Sequence, residues 1–254
     1  MIPLVLHQTA ASSPSNARLR DWMRSWTLVN PGLEAKFYDD DAARELIRSY
    51  CPDCLQTFDA FPFGVMRADL FRYVVVYTQG GIYADTDMES VRPIASLLSL
   101  NTAVFGVESR VTARRQSELT YAGPWQIANC IFAAQAGHPF LAAIIERVAS
   151  LARANVKPKT DHIEDITGPR MLTRLFYERR FENLTVLSQS CWVPSRSYPR
   201  CWPFNRNEHA RHHFEGSWKE ASTARDWRRQ LIERDRLPNP FAPISHSFPK
   251  DVWA

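Results

Sequence analysis

Apolar and polar positions along the chain follow two alternating rhythms. Short apolar runs, "IPLVLHQ" (2–8), "LEAKFYD" (33–39), "TAVFGVE" (102–108) and "NCIFAAQ" (129–135), read as strands. Segments with apolar residues three or four apart read as helices. These are 15–30, capped by Ser15 or Asn16; 40–50, acidic in its first turn; 138–155; and 168–181, with Pro169 in its first turn. "LTVLSQSCWVPS" (184–195) reads as a late strand. Strands alternating with helices predict an α/β fold with a mainly parallel sheet covered on both faces. No repeat, low-complexity tract or linker interrupts the alternation, so residues 1–254 read as a single domain.

The helical segment 64–79, "GVMRADLFRYVVVYTQ", departs from the one-sided pattern. Met66, Leu70, Tyr73, Val74 and Tyr77 form a core stripe, yet Val65, Phe71, Val75 and Val76 make the other faces apolar too. The spacing predicts a helix buried nearly all round, with Asp69 and Arg72 one turn apart inside it. At a surface such a pair contributes about 0.2–0.5 kcal/mol; buried, it needs further partners. A structural ion pair and a contact to ligand hydroxyls both meet that need. Gly80-Gly81 ends the helix. "GIYADTD" (81–87) then reads as a strand with Tyr83, Asp85 and Asp87 on one face. Adjacent carboxylates repel unless protons or a cation lie between them, and a hard divalent ion, Mg²⁺ or Mn²⁺, suits such oxygens. In open sheets of this kind ligands bind beyond the carboxyl ends of the strands, where His7, Asp85 and Asp87 fall.

Composition narrows the partners. The net charge of +4 is mild and spread along the chain, so nucleic acid is not expected, whereas an anionic substrate is welcome. No apolar segment reaches the roughly 18 residues of a membrane span, and the start lacks the features of a signal peptide. A cytoplasmic protein, or one peripheral to a membrane, is expected. Five cysteines do not make a disulfide framework. The C-x-x-C of Cys51 and Cys54 lacks a second pair at zinc-ribbon spacing, so reduced thiols are expected. Near the end, "HHFEGSWKE" offers His212, His213 and Lys219 around a glycine. An imidazole there could complete a metal shell begun by the aspartates, and a lysine could meet phosphate.

Taken together, "IPLVLHQT", "NPGLEAKFYDDDAA", "RADLFRYVVVYTQGGIYADTDMES", "GHPFL", "TGPRML" and "HHFEGSWK" resemble glycosyltransferase family 32, which includes fungal α-1,6-mannosyltransferases and sphingolipid mannosyltransferases. The resemblance implies a GT-A fold and retaining transfer of a hexose from a nucleotide-diphospho-sugar, GDP-mannose or a UDP-hexose, to a glycan, glycolipid or protein. It implies that Asp69 and Arg72 hold donor-sugar hydroxyls. Asp85 would contact ribose, sugar or metal, and Asp87 would bind Mn²⁺ or Mg²⁺ together with His213. Gly216 and Lys219 would meet the diphosphate, in a segment closing over the donor as a lid. His7, Gln8, Thr9 and Tyr83 would line the donor. An aromatic commonly follows the H-Q-T triplet in the family; here it is Ala10. Two other readings of the residues stay open: a D-x-D phosphatase or phosphotransferase with the first aspartate as nucleophile, and a non-catalytic sugar-nucleotide binding module.

Overall fold

The computed structural model describes residues 1–110, 113–118, 121–154, 159, 163–193 and 207–215. In chain order its elements begin with β1 (Val5–Thr9), α1 (Ala17–Val29), β2 (Glu34–Tyr38), α2 (Asp40–Tyr50), α3 (Pro52–Ala60) and α4 (Gly64–Gln79). Then come β3 (Gly81–Ala84), β4 (Met88–Ser90), α5 (Ala95–Leu98), β5 (Ala103–Arg110), α6 (Ala113–Glu118), β6 (Trp125–Ile127) and β7 (Ile131–Ala134). The chain continues through α7 (Pro139–Ala154), α8 (Ile163–Ile166), α9 (Pro169–Glu178), β8 (Leu184–Leu187), α10 (Gln189–Trp192) and β9 (Ala210–His212).

Seven strands form the main sheet in the order β2-β1-β3-β7-β5-β6, with β8 paired to β5. β2, β1 and β3 are mutually parallel; β7 runs against both β3 and β5, β6 runs against β5, and β8 is parallel to β5. Only β6 and β7 are therefore reversed, and the carboxyl ends of β1, β3 and β5 share one edge. Alternation along each strand splits its side chains between two cores. Tyr83, Phe132, Phe105 and Val107 pack on one face with α4, α7 and α9. Ile82, Ala84, Ile131, Ala133 and Val104 pack on the other with Trp26 and Trp192.

α4 lies within the first core as its pattern predicts: nine consecutive or near-consecutive side chains from Met66 to Val76, Asp69 and Arg72 among them, are buried. Asn16 is the N-cap of α1, its side chain accepting from the Arg18 amide at 2.9 Å. Three expectations change. The strand at 81–87 stops at Ala84, because Asp85 to Met88 form a turn closed by the Met88 amide on the Asp85 carbonyl at 3.0 Å. The late strand stops at Leu187 and gives way to the single helical turn α10. Cys51 and Cys54 are joined by a disulfide at the start of α3, in place of the expected thiols; Cys130 and Cys191 are free and buried.

The α4–β3 junction needs both glycines. Gly80 has φ +67° and Gly81 φ +105°, and a Cβ at Gly81 would lie 2.5 Å from the Val5 carbonyl oxygen of the neighbouring strand. Gly81→Ala should therefore cost about 2 kcal/mol or more, from left-handed backbone strain and the displaced β1. A urea unfolding midpoint within error of wild type would contradict this.

Candidate active site

The site is built where β3 ends. Asp85 and Asp87 stand in the turn after β3, and α4 runs alongside with Asp69 and Arg72 on the same side as the Tyr83 ring. The Asp69 carboxylate is buried and receives the Asn129 amide (3.0 Å), the Thr167 hydroxyl (2.7 Å) and Arg72 Nη2 (3.1 Å). Burial pushes its carboxyl up to about 6 against the pull of Arg72 and these donors. Arg72 also reaches Asp85 (Nη2 to Oδ1, 3.3 Å), donates to the Asn129 carbonyl (2.8 Å) and lies 4.7 Å over the Tyr83 ring. The Tyr83 hydroxyl donates to Asp85 Oδ1 at 2.8 Å. Loss of hydration in the cleft wall raises the Asp85 carboxyl, helped by Asp87 and opposed by Arg72.

The expected pairing of Asp69 with Arg72 is thus present, and protein groups supply the partners that burial requires. Asn129 and Thr167 are the residues that sequence reading did not single out. Asn129 sits just before β7 and serves both ends of the pair, its side chain on Asp69 and its carbonyl on Arg72. Only the placement of β7 next to β3 could reveal that.

The C-terminal part of the site arrives through β9, which pairs antiparallel with β4 in the register Met88↔His212, Glu89↔Arg211, Ser90↔Ala210. α1 holds β4 in place: Trp26 Nε1 donates to the Met88 carbonyl (3.0 Å), and the Ser90 amide donates to the Ser25 hydroxyl (2.8 Å). Trp26 is accordingly a core residue. This register brings His212, not His213, to the aspartates. His212 Nε2 is 3.2 Å from Asp87 Oδ1. His213 faces the other way, stacked at 3.7 Å on Trp22 with its Nε2 2.9 Å from Glu89. Neighbouring residues on an extended segment point to opposite sides, so a pair of adjacent histidines can send only one of them to the aspartates. The expectation placed His213 beside the aspartates; the histidine that stands there is His212, with His213 turned to Glu89 and Trp22.

Asp85, Asp87 and His212 bring ligand atoms within 4.8 Å of one another. Burial disfavours the Asp87 carboxylate, but His212 and the Glu215 amide (2.9 Å to Oδ2) outweigh it and hold its carboxyl at about 2. Burial likewise opposes charge on His212, and the adjacent Asp87 overcomes it and raises the imidazole well above its ordinary value. His212 Nδ1 is buried without a hydrogen-bond partner among the described residues. Among the described residues, the three carboxylates Asp69, Asp85 and Asp87 are faced by the Arg72 guanidinium and the His212 imidazole. The donor set of two carboxylate oxygens and an imidazole fits a divalent cation of the Mn²⁺ or Mg²⁺ type. The imidazole that carries a proton against Asp87 offers its lone pair when such an ion takes that place.

The four residues expected at the donor from β1 and β3 divide. Thr9 and Tyr83 line a cleft of about 600 Å³ with Asp69, Arg72, Asp85 and Asp87, a size usual for ligand sites. The Thr9 hydroxyl is already donated to the Tyr38 carbonyl at 2.8 Å. His7 and Gln8 are buried behind the cleft. Gln8 donates to the Asp85 carbonyl at 3.3 Å and so props the aspartate turn from beneath. His7 Nε2 donates to the Gly80 carbonyl (3.0 Å), which leaves Nδ1 to accept from the Tyr38 hydroxyl (3.2 Å). Gly216 and Lys219 lie outside the described residues. The segment expected to act as a lid is, through Glu215, a docked strand and its extension, with the His213 amide on the Asp87 carbonyl at 3.0 Å.

A turn of two aspartates after β3, beside the reversed β7, defines the class: a GT-A glycosyltransferase fold. The PaToxG glycosyltransferase shares it, with a TM-score of 0.50 at 16% identity over 70% of this chain and 69% of that one. Residues 11–104 match the family described as a glycosyltransferase sugar-binding region containing a DXD motif, and the resemblance to glycosyltransferase family 32 holds. Among curated proteins, "Putative glycosyltransferase HOC1" of Saccharomyces cerevisiae is 28% identical over 58% of this chain and 39% of its own length. "Inositol phosphoceramide mannosyltransferase 2" of Schizosaccharomyces pombe is 29% identical over 72% of this chain and 49% of its own. The chain spans less than half the length of these two relatives. Among the described residues no helix is long and apolar enough to cross a membrane.

His7 carries a pH test of its own. Burial lowers its imidazole from 6.5 to about 4. The unfolded chain takes up the proton first as pH falls, so this contribution is full above about pH 6.5 and is lost toward pH 4. The loss should approach 3 kcal/mol, about 1.36 kcal/mol per unit of pH. Chemical denaturation across that window should show the fall, and His7→Gln should flatten it; an equal slope in both would remove His7 as the cause.

Proposed function

We propose that the chain transfers a hexose, with retention, from a nucleotide-diphospho-sugar to a hydroxyl of a glycan, glycolipid or protein, and that residues 1–254 form one GT-A domain for this purpose. The observation that carries the reading is the convergence of Asp85, Asp87 and His212 beside the buried Asp69–Arg72 pair at the carboxyl end of β3. Similarity to the inositol phosphoceramide mannosyltransferase favours mannose, and hence a GDP-linked donor, over the UDP-hexoses.

In this reading Asp87 and His212 hold Mn²⁺ or Mg²⁺, with Asp85 as the third ligand or as a contact to ribose or sugar. The bound metal supplies positive charge to the leaving diphosphate. Arg72 and Asp69 set the position of Asp85 and border the sugar, while Thr9 and Tyr83 border the donor. Gly216 and Lys219 follow Glu215 in sequence and are assigned to the diphosphate. The acceptor oxygen bonds to the anomeric carbon as the bond from that carbon to the phosphate oxygen breaks, and the departing phosphate oxygen takes the acceptor's proton. No protein base is required for that balance. The phosphatase reading needs a nucleophilic first aspartate, whereas Asp85 Oδ1 is engaged by both Tyr83 and Arg72.

Incubating the full chain with GDP-mannose and UDP-hexoses should show Mn²⁺-dependent release of nucleoside diphosphate that excess chelator abolishes. His212→Ala should weaken Mn²⁺ binding by calorimetry at least about tenfold, as loss of a ligand demands. His213→Ala should leave Mn²⁺ affinity close to wild type, because its ring faces Trp22 and Glu89. Release of diphosphate at full rate in chelator would overturn the metal site, and release of phosphate from simple phosphomonoesters would favour the phosphatase.

A further inference from the structure

The Cys51–Cys54 disulfide stands at the joint between two helices. Cys51 ends α2, its amide donating to the Ile47 carbonyl at 2.8 Å. The same residue is the N-cap of α3, where its carbonyl accepts the Cys54 amide at 2.8 Å. Cys54 is 5% exposed and lies in the core with Ala43, Leu46, Ile47 and Phe58. Ala43 of α2 and Phe58 of α3 also line the cleft that holds Asp69 and Arg72. Away from the joint, Arg44 of α2 and Asp59 of α3 meet through two contacts of 2.8 and 2.7 Å. That pair is exposed, where ion pairs hold weakly. The disulfide is therefore the firm clamp on this wall of the cleft.

Its two cysteines are unlike. Cys51 is half-buried and Cys54 enclosed, so an incoming thiolate reaches the Cys51 sulfur first. Within the disulfide the Cys51 side chain makes no capping bond to α3. Released as a thiolate it stands at the N-terminus of that helix, whose dipole favours negative charge against the opposing carboxylate of Asp53. The two Cα atoms are 5.4 Å apart, inside the span that a disulfide bridges. Cys54 therefore stays within reach of any mixed disulfide formed at Cys51 and expels a monothiol from it. A dithiol escapes this reversal, because its own second sulfur resolves the intermediate.

We infer that Cys51–Cys54 is a thiol–disulfide exchange site for a dithiol, opened at Cys51, and that its state sets how firmly the α2–α3 wall of the cleft is held. The thiolate of the dithiol bonds to the Cys51 sulfur as the Cys51–Cys54 bond breaks. The electron pair leaves on the Cys54 sulfur, which takes a proton. The second thiol of the reductant gives up its proton, attacks its own sulfur in the mixed disulfide and releases Cys51. Two cysteine thiols are gained as two thiols of the reductant become a disulfide, so two electrons pass and the exchange balances. None of this depends on what the cleft binds.

The test uses the full chain, oxidised in air and kept free of denaturant, with alkylation of free thiols read by mass spectrometry of the peptide holding both cysteines. The free and buried Cys130 and Cys191 serve as internal controls. Before reduction Cys51 and Cys54 should resist alkylation, and dithiothreitol should expose both. Glutathione at equal thiol concentration should open at least about tenfold less of the bond, since Cys54 reverses the monothiol step. Two variants locate the attack: oxidised glutathione should add to Cys51 in Cys54→Ser and not to Cys54 in Cys51→Ser. Amide exchange over 52–60 should run at least about fivefold faster in the reduced chain, the effect of releasing a short cross-link, and slow again on reoxidation. Cysteines that stay open to alkylation after oxidation, a bond that yields only in denaturant, or equal reduction by the two reductants would overturn the exchange site. Equal labelling of the two variants would overturn the attack at Cys51. Unchanged amide exchange after full reduction would overturn the link to the cleft wall.

Discussion

Arg72 is the residue around which the site is assembled. A guanidinium withdrawn from water must find countercharge and acceptors inside the protein, because desolvation outweighs any single ion pair. Arg72 does so by reaching Asp69 on its own helix, Asp85 at the end of β3, the Asn129 carbonyl before β7 and the face of Tyr83. One side chain thereby ties α4, β3 and β7 together at the sheet edge where ligands of this architecture bind. Asp69 in turn draws in Thr167 ahead of α9. Removing Arg72 would leave the buried Asp69 without its countercharge and Asp85 without its guanidinium, so folding and the shape of the cleft depend on the same side chain.

The aspartate turn is held from three further directions. Gln8 supports it from β1, Tyr83 fixes Asp85, and β9 closes on Asp87 through His212 and the Glu215 amide. Tyr83, His212 and the Glu215 amide each aim a donor at an aspartate carboxylate, and Gln8 donates to the Asp85 backbone carbonyl, so β1, β3 and β9 meet at one turn.

Much of the architecture was legible from periodicity. The helices at 15–30, 40–50, 64–79, 138–155 and 168–181 and the strands around His7, Phe37, Phe105 and Phe132 follow from apolar spacing and from capping residues such as Asn16 and Pro169. Short elements were not legible: α5, α8, α10, β4, β6 and β9 have three or four residues each, too few for a period to show. The α3 helix was not read from the sequence, where Cys51 and Cys54 stood only as reduced thiols after a helical segment.

The sequence by itself determined that Asp69 and Arg72 would lie one turn apart in a helix buried nearly all round, and that Asp85 and Asp87 would stand together at the end of a buried strand. Their spacing is local, so apolar periodicity alone fixes it. Tertiary structure alone decided which histidine joins them, because His212 and His213 are chemically equal and only the register of β9 on β4 selects between them. It also decided that His7 is buried behind the cleft and that Asn129 and Thr167 satisfy Asp69. Each of these depends on contacts between segments separated by tens of residues, where strand order and register, not local pattern, set which side chains meet.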